Sequence, residues 1–488
     1  MSVGALDLAI LFVYLAGVVV LGLWVGRGAR SVADYVVGGR DRPWWLILFS
    51  IVATETSTIT FLSIPGFAFE RNLTWLQIAV GFLVGRYVVA YLLLPQYFEG
   101  WLFTSYEVLE RRFGGAAKRA ASALFILTRS LADGLRLFLT AIVLQEMTGI
   151  PLAWAAVAIG VTTVAYTFFG GMRAVLWTDF VQLILYVGGA AVALGLIVDR
   201  LPGGWGELAA AGEAAGKWRV FDLALDWSEP YGLWAGLLGG VFITLGSHGV
   251  DQLMVQRYLC ARGLPPARRA VVTSGFVVLA QFALFLVIGV ALFAFYRHFP
   301  PEAAFERADR VFARFILDEM PVGVVGLLLG AVFAAAMSTL SSSLNSCATA
   351  AVNDLYLPLA GEEVPAARKL RLTRALTVVF GGVQVAVGIG GQWLAASVVA
   401  SVLGIAAFTT GIVLGVFFLG IFAPRVGQRA ALAGLVVGLA GMTWIFFATP
   451  LAWPWFALVG SALTFAAGLG ASRLLPHEPP PRRPQPPK

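Results

Sequence analysis

Polar side chains interrupt an apolar stretch of the sequence between Ser50 and Thr60. A carboxylate, Glu55, stands there among threonine and serine residues. These residue types are poor helix formers, so the pattern predicts local unwinding that leaves backbone carbonyl oxygens exposed. An ionisable residue in a membrane-length apolar run usually marks an ion or solute pathway. The alternative is that Glu55 pairs with a neighbouring arginine and that the hydroxyl groups bond back to their own helix.

A second hydroxyl cluster lies near the start of the last third of the chain. Ser338, Ser341 and Ser342 follow the spacing i, i+3, i+4, so they share one helical face. Ala335, Ser338 and Thr339 repeat that spacing one turn earlier. A hard cation such as Na⁺ binds through several oxygen atoms, which a hydroxyl ladder opposite unwound carbonyls supplies. The alternative is close helix packing through small residues.

Two further apolar runs carry polar groups. Asp179 stands roughly two turns inside its run, where it marks an ion pathway or pairs with Arg173 or Arg129. Elsewhere, Ser247 and His248 lie between two glycines, which predicts a second interrupted helix. A lone histidine of this kind is either a packing residue or a ligand or gate.

The elements that carry these residues belong to a membrane protein. Of the 488 residues, 59% are hydrophobic and 12% are charged, and the mean hydropathy is +0.84. Soluble domains carry about 25% charged residues, so the composition excludes a cytosolic enzyme, a disordered scaffold and a nucleic-acid-binding domain. The two cysteines, Cys260 and Cys347, offer no disulfide framework.

Apolar runs long enough to cross a bilayer, about 20 residues each, predict an all-α polytopic protein. We expect about thirteen transmembrane helices, near 5–26, 44–68, 74–98, 120–146, 151–169, 173–198, 231–256, 270–296, 322–353, 372–390, 393–422, 430–448 and 453–472. With these spans, most lysines and arginines, including Arg257, fall in connecting segments on the same side of the bilayer. The positive-inside rule therefore predicts an outside N-terminus and an inside C-terminus.

The two predicted broken helices lie five spans apart. Discontinuous helices in corresponding positions are typical of an inverted five-plus-five repeat around a midplane site. The predicted organisation is a leading helix and loop (1–43), a first repeat (44–198), an extracellular loop (199–230), a second repeat (231–422), two trailing helices (423–475) and a disordered proline-rich tail (476–488).

Several of these stretches resemble the sodium:solute symporter family, which includes sodium-coupled transporters of glucose, proline, sialic acid, pantothenate and monocarboxylates. The resemblance is carried by Ser50–Gly66, Tyr106–Gly114, Gly170–Gln182, Asp251–Arg257 and Ala335–Asp354. It implies a LeuT-like core in the plasma (inner) membrane and alternating access driven by sodium. It also implies a transporter with no organic cofactor, rather than an enzyme.

The resemblance further implies two sodium sites. The principal site corresponds to the carbonyl groups of Ala53 and Thr56 on the first core helix and to Ala335, Ser338 and Thr339 on the eighth. Some members bind a further sodium ion at positions that match Asp179, Ser338, Ser341 and Ser342.

Solute identity is less constrained. Positions that bind sugar in the family fall on Glu55, Thr60, Ala79, Ser247, His248, Val278 and Leu403. Three of these are apolar, which disfavours a hexose and favours a carboxylate or amino-acid-like solute. Arg136 or Arg86 would bind the carboxylate, unless they pair with Glu55, Asp133 or Glu146. We expect solute contacts from Thr54, Glu55, Ser57, Thr60, Gln77, Arg136, Thr244, Ser247 and His248.

The sequence thus predicts a sodium-coupled symporter that imports a small organic solute across a lipid bilayer. One alternative is a symporter of the same fold that couples to protons through Glu55, Asp179 or His248. Another is a sensor or a channel that does not transport uphill.

Overall fold

The computed structural model describes residues 3–27, 31–301, 305, 307–360 and 364–476. The tail expected to be disordered lies outside these residues, except for Pro476. Within them the regular structure is helical, and the β-pairing is one bridge between Arg42 and Ala261.

Twenty α-helices make up the described fold. In chain order they are α1 Ala5–Gly26, α2 Val32–Val37, α3 Trp44–Glu55, α4 Thr58–Glu70, α5 Leu76–Val88, α6 Leu94–Tyr97, α7 Glu107–Phe113, α8 Gly115–Thr148, α9 Leu152–Arg200, α10 Gly204–Ala214, α11 Gly240–Gly249, α12 Gln252–Tyr258, α13 Leu264–His298, α14 Asp309–Glu319, α15 Val324–Ala350, α16 Leu357–Ala360, α17 Ala366–Gly390, α18 Ala396–Phe422, α19 Gln428–Ala448 and α20 Phe456–Leu474. Short π-helical turns extend α5, α11 and α15 at Val89–Leu93, Ala235–Gly239 and Ala351–Tyr356.

Nine helices of the described chain are long and apolar enough to cross a membrane, or up to ten if the bent pair α3–α4 is one span. This count includes α9 as a single helix. Its 49 residues would measure about 74 Å if straight, which is more than twice the thickness of about 30 Å of the hydrocarbon core of a bilayer. Helix α9 kinks at Gly171, where φ is 53°. The count of thirteen spans and the orientation stay predictions.

The break between α3 and α4 lies where the hydroxyl-rich sequence predicts it. Thr56 and Ser57 have extended backbone conformations, and the chain bends by 62° between the two helices. The Ser57 hydroxyl accepts a hydrogen bond from the Thr60 backbone N–H at 3.3 Å and so caps α4. The last carbonyl groups of α3 consequently lack their usual helical donors.

A second break separates α11 from α12, just after the glycine-flanked His248. Val250 and Asp251 leave the helical conformation there, and the Asp251 carboxylate accepts from the Leu253 N–H at 2.9 Å as the N-cap of α12. The two broken elements have different causes: hydroxyl capping at the first, and an aspartate cap after a glycine at the second.

Helix α15 lies deep in the bundle and packs against α1, α3, α8, α9 and α17. An apolar 18-residue stretch between Val324 and Ala360 is 83% buried. The N-terminus of α15 is held by the buried Asp7, whose carboxylate accepts from the backbone N–H groups of Gly323 at 2.7 Å and Gly326 at 2.8 Å. This packing places the hydroxyl face of α15 against the break that follows α3.

Candidate ion and solute site

The hydroxyl groups of α15 contact the carbonyl groups at the end of α3. Ser338 Oγ donates to the Ala53 carbonyl at 3.0 Å and lies equally far from the Ala335 carbonyl. Thr339 Oγ1 lies 3.3 Å from the Thr54 carbonyl and 3.5 Å from that of Ala335. The structure therefore brings Ala53, Ala335, Ser338 and Thr339 of the predicted principal site together.

The fifth predicted ligand, Thr56, stands at the break itself. Its hydroxyl donates to the Val52 carbonyl at 3.0 Å and accepts from Gln281 Nε2 at 2.6 Å. The atoms gathered at this point of contact between α3 and α15 are neutral oxygens, and Ser338 and Ala53 are fully buried. A set of carbonyl and hydroxyl oxygens suits a hard cation of low charge such as Na⁺.

The residues of the predicted second sodium site also lie together. Asp179 Oδ2 accepts from Ser50 Oγ at 2.5 Å and from Thr54 Oγ1 at 3.3 Å. Ser342 Oγ lies 3.2 Å from Thr54 Oγ1, and the Ser341 hydroxyl donates to the Ser338 carbonyl at 3.1 Å. The other carboxylate oxygen, Asp179 Oδ1, is buried and has no hydrogen-bond partner in the described structure.

A residue that sequence reasoning assigned to a cytoplasmic segment completes this cluster. Arg257 on α12 is 1% exposed, and its Nη2 lies 3.3 Å from Asp179 Oδ2. The same nitrogen contacts the hydroxyl groups of Thr54 and Ser342. The partner of Asp179 is thus Arg257, and the expected alternatives Arg173 and Arg129 were wrong. Arg257 ends a conspicuous polar stretch of the seventh predicted span, but the charge count assigned Arg257 itself to a cytoplasmic segment.

Glu55, Arg86 and His248 form a separate group, in which Arg86 and His248 are buried and Glu55 is partly buried. Glu55 makes an ion pair with Arg86, the pairing that the sequence left open. His248 Nε2 lies 3.2 Å from Arg86 Nη2 and 3.6 Å from Glu55 Oε2, and His248 Nδ1 lies 2.9 Å from Ser247 Oγ. Arg86 is fully buried, and its Nε and Nη1 have no hydrogen-bond partner in the described structure.

Arg136 on α8 faces two cavities. Its Nη1 lies 2.5 Å from Asp133 Oδ1, and its side chain is 37% exposed. A cavity of ≈ 220 Å³ is lined by Arg136 and Ser247 together with residues of α18 and α20. A smaller space, ≈ 20 Å³, is lined by Arg136, Ser57 and Thr339 and so adjoins the principal ion site. Arg136 is therefore the predicted solute residue that lines both the larger cavity and the small space beside the principal ion site.

Other predicted solute residues lie elsewhere. Gln77 holds the long loop, because its Nε2 donates to the Tyr231 carbonyl at 2.8 Å and its Oε1 accepts from the Asp222 N–H at 3.2 Å. Thr244 packs against Gly85, where an added Cβ would lie 2.6 Å from the Thr244 Cβ. Thr60 lies beside Ser57, with their hydroxyl oxygens 3.2 Å apart. Among the cavities of the described structure, the larger holds Arg136 and Ser247 and the smaller holds Arg136 and Ser57 of the nine predicted solute residues.

Comparisons with known proteins identify the family of this chain. The family model described as sodium:solute symporter family matches residues 35–438. The sodium/sialic acid symporter NanT of Aliivibrio fischeri is 31% identical over 484 residues, which cover 96% of this chain and 93% of that protein. The human sodium/iodide cotransporter is 29% identical, with 91% of this chain and 70% of that protein covered.

The fold also matches solved structures. A Na⁺-coupled sialic acid symporter in a substrate-bound outward-open state superimposes with a TM-score of 0.90 at 28% identity, covering 98% of this chain and 99% of that one. A nucleobase-cation-symport-1 family transporter, MHP1, shares the fold at a TM-score of 0.58 and 16% identity. The chain is therefore a multi-pass membrane transporter with a LeuT-like fold that belongs to the sodium:solute symporter family.

Proposed function

We propose that this protein is a sodium-coupled symporter that imports a small organic carboxylate across the plasma (inner) membrane by alternating access. The observation that carries the proposal is the contact between Ser338 on α15 and the Ala53 carbonyl at the end of α3. In the proposed organisation α3 belongs to the first repeat (44–198) and α15 to the second (231–422). A sodium ion bound between them would tie the two repeats together.

Sodium would act by replacing hydrogen bonds with ion–oxygen contacts. The Ser338 hydroxyl that now donates to Ala53 would turn its proton away and present a lone pair to the ion. Entry of one charge across 100 mV releases about 2.3 kcal/mol, which is available to drive solute accumulation. Binding near Thr339 would also shape the small cavity that Arg136 and Ser57 line.

The charge balance of the bundle supports an anionic solute. The ion pairs described inside it join arginines to nearby acids: Arg86 with Glu55, Arg257 with Asp179, and Arg129 and Arg136 with Asp133 and Asp251. Each bound sodium ion adds a positive charge to a region of low dielectric, where uncompensated charge is costly. A carboxylate beside Arg136 would offset that charge. Some relatives are named for sialic acid or monocarboxylates, and these solutes carry a carboxylate group.

A thermal-shift screen of the purified protein tests this proposal. Sialic acid, short monocarboxylates, amino acids and hexoses would each be added with sodium chloride and with choline chloride at equal ionic strength. We expect carboxylates to raise the melting temperature only when sodium is present. Stabilisation by a hexose, or by a carboxylate without sodium, would contradict the proposed substrate class or the proposed coupling ion.

Proton coupling is a second candidate because Glu55 Oε2 and His248 Nε2 lie 3.6 Å apart in the group with Arg86. This pair could share a proton during transport. Uptake into proteoliposomes driven by a pH gradient in sodium-free buffer would favour it. Accumulation against a gradient in proteoliposomes, driven by sodium or by protons, would also exclude a channel or a sensor that does not transport.

A further inference from the structure

The guanidinium group of Arg257 lies among the oxygens expected to bind the second sodium ion. Its Nε donates to Ser50 Oγ at 2.9 Å, and its Nη1 donates to the Leu253 carbonyl at 2.5 Å. Its Nη2 lies 3.3 Å from Asp179 Oδ2 and also contacts Ser342. The residue is buried throughout, so it is held in place by these acceptors rather than by solvent.

A guanidinium and a sodium ion in this cluster would exclude each other. Both carry one positive charge, and both would use Asp179 and Ser342 as partners. In a buried region the repulsion between two such charges is only weakly screened. The single carboxylate of Asp179 compensates one of them, and its free Oδ1 marks where a replacement cation would bind.

We propose that Arg257 is a tethered cation that competes with the second sodium ion for Asp179 and Ser342. The second ion then binds only when Arg257 leaves the cluster. This inference rests on the proposed sodium coupling, but it concerns the second ion alone. Ala53 and Ser338 of the principal site make no hydrogen bond to Arg257 in the described structure, although Ser338 belongs to both predicted sites.

Displacement of Arg257 would also act on α12. This short helix is held to the bundle by Arg257 and by two glutamines. Gln256 Nε2 donates to the Val36 carbonyl and to Asn345 Oδ1, each at 2.6 Å, and Gln252 Nε2 donates to the Phe103 carbonyl at 3.0 Å. Release of Arg257 removes the contacts of α12 with Ser50, Thr54, Asp179 and Ser342. In the predicted orientation α12 is the cytoplasmic half of its broken helix, so the second ion would loosen that side of the transporter.

Sodium binding without solute tests the competition. Purified wild-type, Arg257→Gln and Arg257→Lys proteins would be titrated with sodium at constant ionic strength, and both ²²Na⁺ binding and the melting temperature would be measured. We expect Arg257→Gln to lower the half-saturating sodium concentration of the weaker site about tenfold, the scale of one lost charge-assisted hydrogen-bond partner. The double variant Asp179→Asn/Arg257→Gln should lose this gain.

Lys118→Gln is the matched control. Lys118 is also a buried cation paired with an acid, 2.6 Å from Glu110, but it lies away from the cluster. Its loss should leave the sodium midpoints unchanged. An unchanged or raised midpoint in Arg257→Gln would overturn the proposal. If that variant does not fold, Arg257→Lys provides the test. Lysine cannot reach Ser50 and Ser342 at once, so the half-saturating sodium concentration of the weaker site should still fall. A wild-type value in Arg257→Lys would contradict the competition.

These outcomes separate this inference from the proposed function. If wild-type protein binds sodium but Arg257→Gln behaves like wild type, sodium coupling stands and the competition fails. If wild-type protein shows no specific sodium response at all, the proposed function itself fails.

Discussion

Ser338 shows how a single hydroxyl group can join two helices. Its oxygen contacts the Ala53 and Ala335 carbonyls, so three oxygens are already gathered before an ion arrives. The i, i+3, i+4 spacing of the α15 hydroxyl groups indicates this face directly from the sequence. The partner of Asp179 could not be found in the same way, because Arg257 is 78 positions distant and adjoins a basic loop.

Glu55 and Arg86 form a buried ion pair whose two charges stabilise each other. Removing one partner of such a pair typically costs about 3–5 kcal/mol, because the other charge is left uncompensated. We therefore expect Glu55→Gln and Arg86→Gln each to lower the melting temperature strongly. The double variant should recover most of the loss. A double variant as unstable as the sum of the two single variants would show that the pair is not coupled.

Arg136 should bind the solute carboxylate directly. Replacing it with glutamine should weaken carboxylate binding about tenfold, since one charge-assisted hydrogen-bond donor is lost. Isothermal titration in saturating sodium would measure this change. The sodium midpoint without solute is the internal control and should stay the same. Equal carboxylate affinity in the variant and the wild type would remove Arg136 from the solute site.

The kink in α9 at Gly171 separates two predicted spans. The sequence predicts two spans here, 151–169 and 173–198, and the structure gives the cause of their separation. Gly171 has a positive φ, and a Cβ there would lie 2.4 Å from the Tyr35 carbonyl oxygen. The close approach of α2 to α9 therefore requires a residue without a side chain.

Gly171→Ala should consequently lower the melting temperature and the yield of folded protein. Gly188→Ala on the same helix is the control, because a Cβ at position 188 meets no atom within 4 Å. That substitution should be neutral or slightly stabilising. Size-exclusion chromatography and thermal unfolding in detergent would measure both variants. Equal stability of the two variants would contradict the assigned role of the kink.

At the scale of the whole molecule, the fold brings two interrupted helices and a hydroxyl-bearing helix together around buried oxygens. Composition and the positions of Glu55 and His248 predict the membrane class and the breaks. The sequence alone does not predict which polar residues share a cavity. Gln77, for example, looks like a solute ligand but anchors the loop at Asp222. Such outcomes depend on helix rotation and loop packing rather than on local pattern.

Sodium binding to the purified protein tests the account most directly. Titration with ²²Na⁺ would compare the wild type with Ser338→Ala and with Ser346→Ala, a buried serine on the same helix whose hydroxyl donates to the Ser343 carbonyl. We expect Ser338→Ala to need about tenfold more sodium, since one ligand oxygen is lost, and Ser346→Ala to bind like the wild type. Equal sodium affinity in all three proteins would contradict an ion site between α3 and α15.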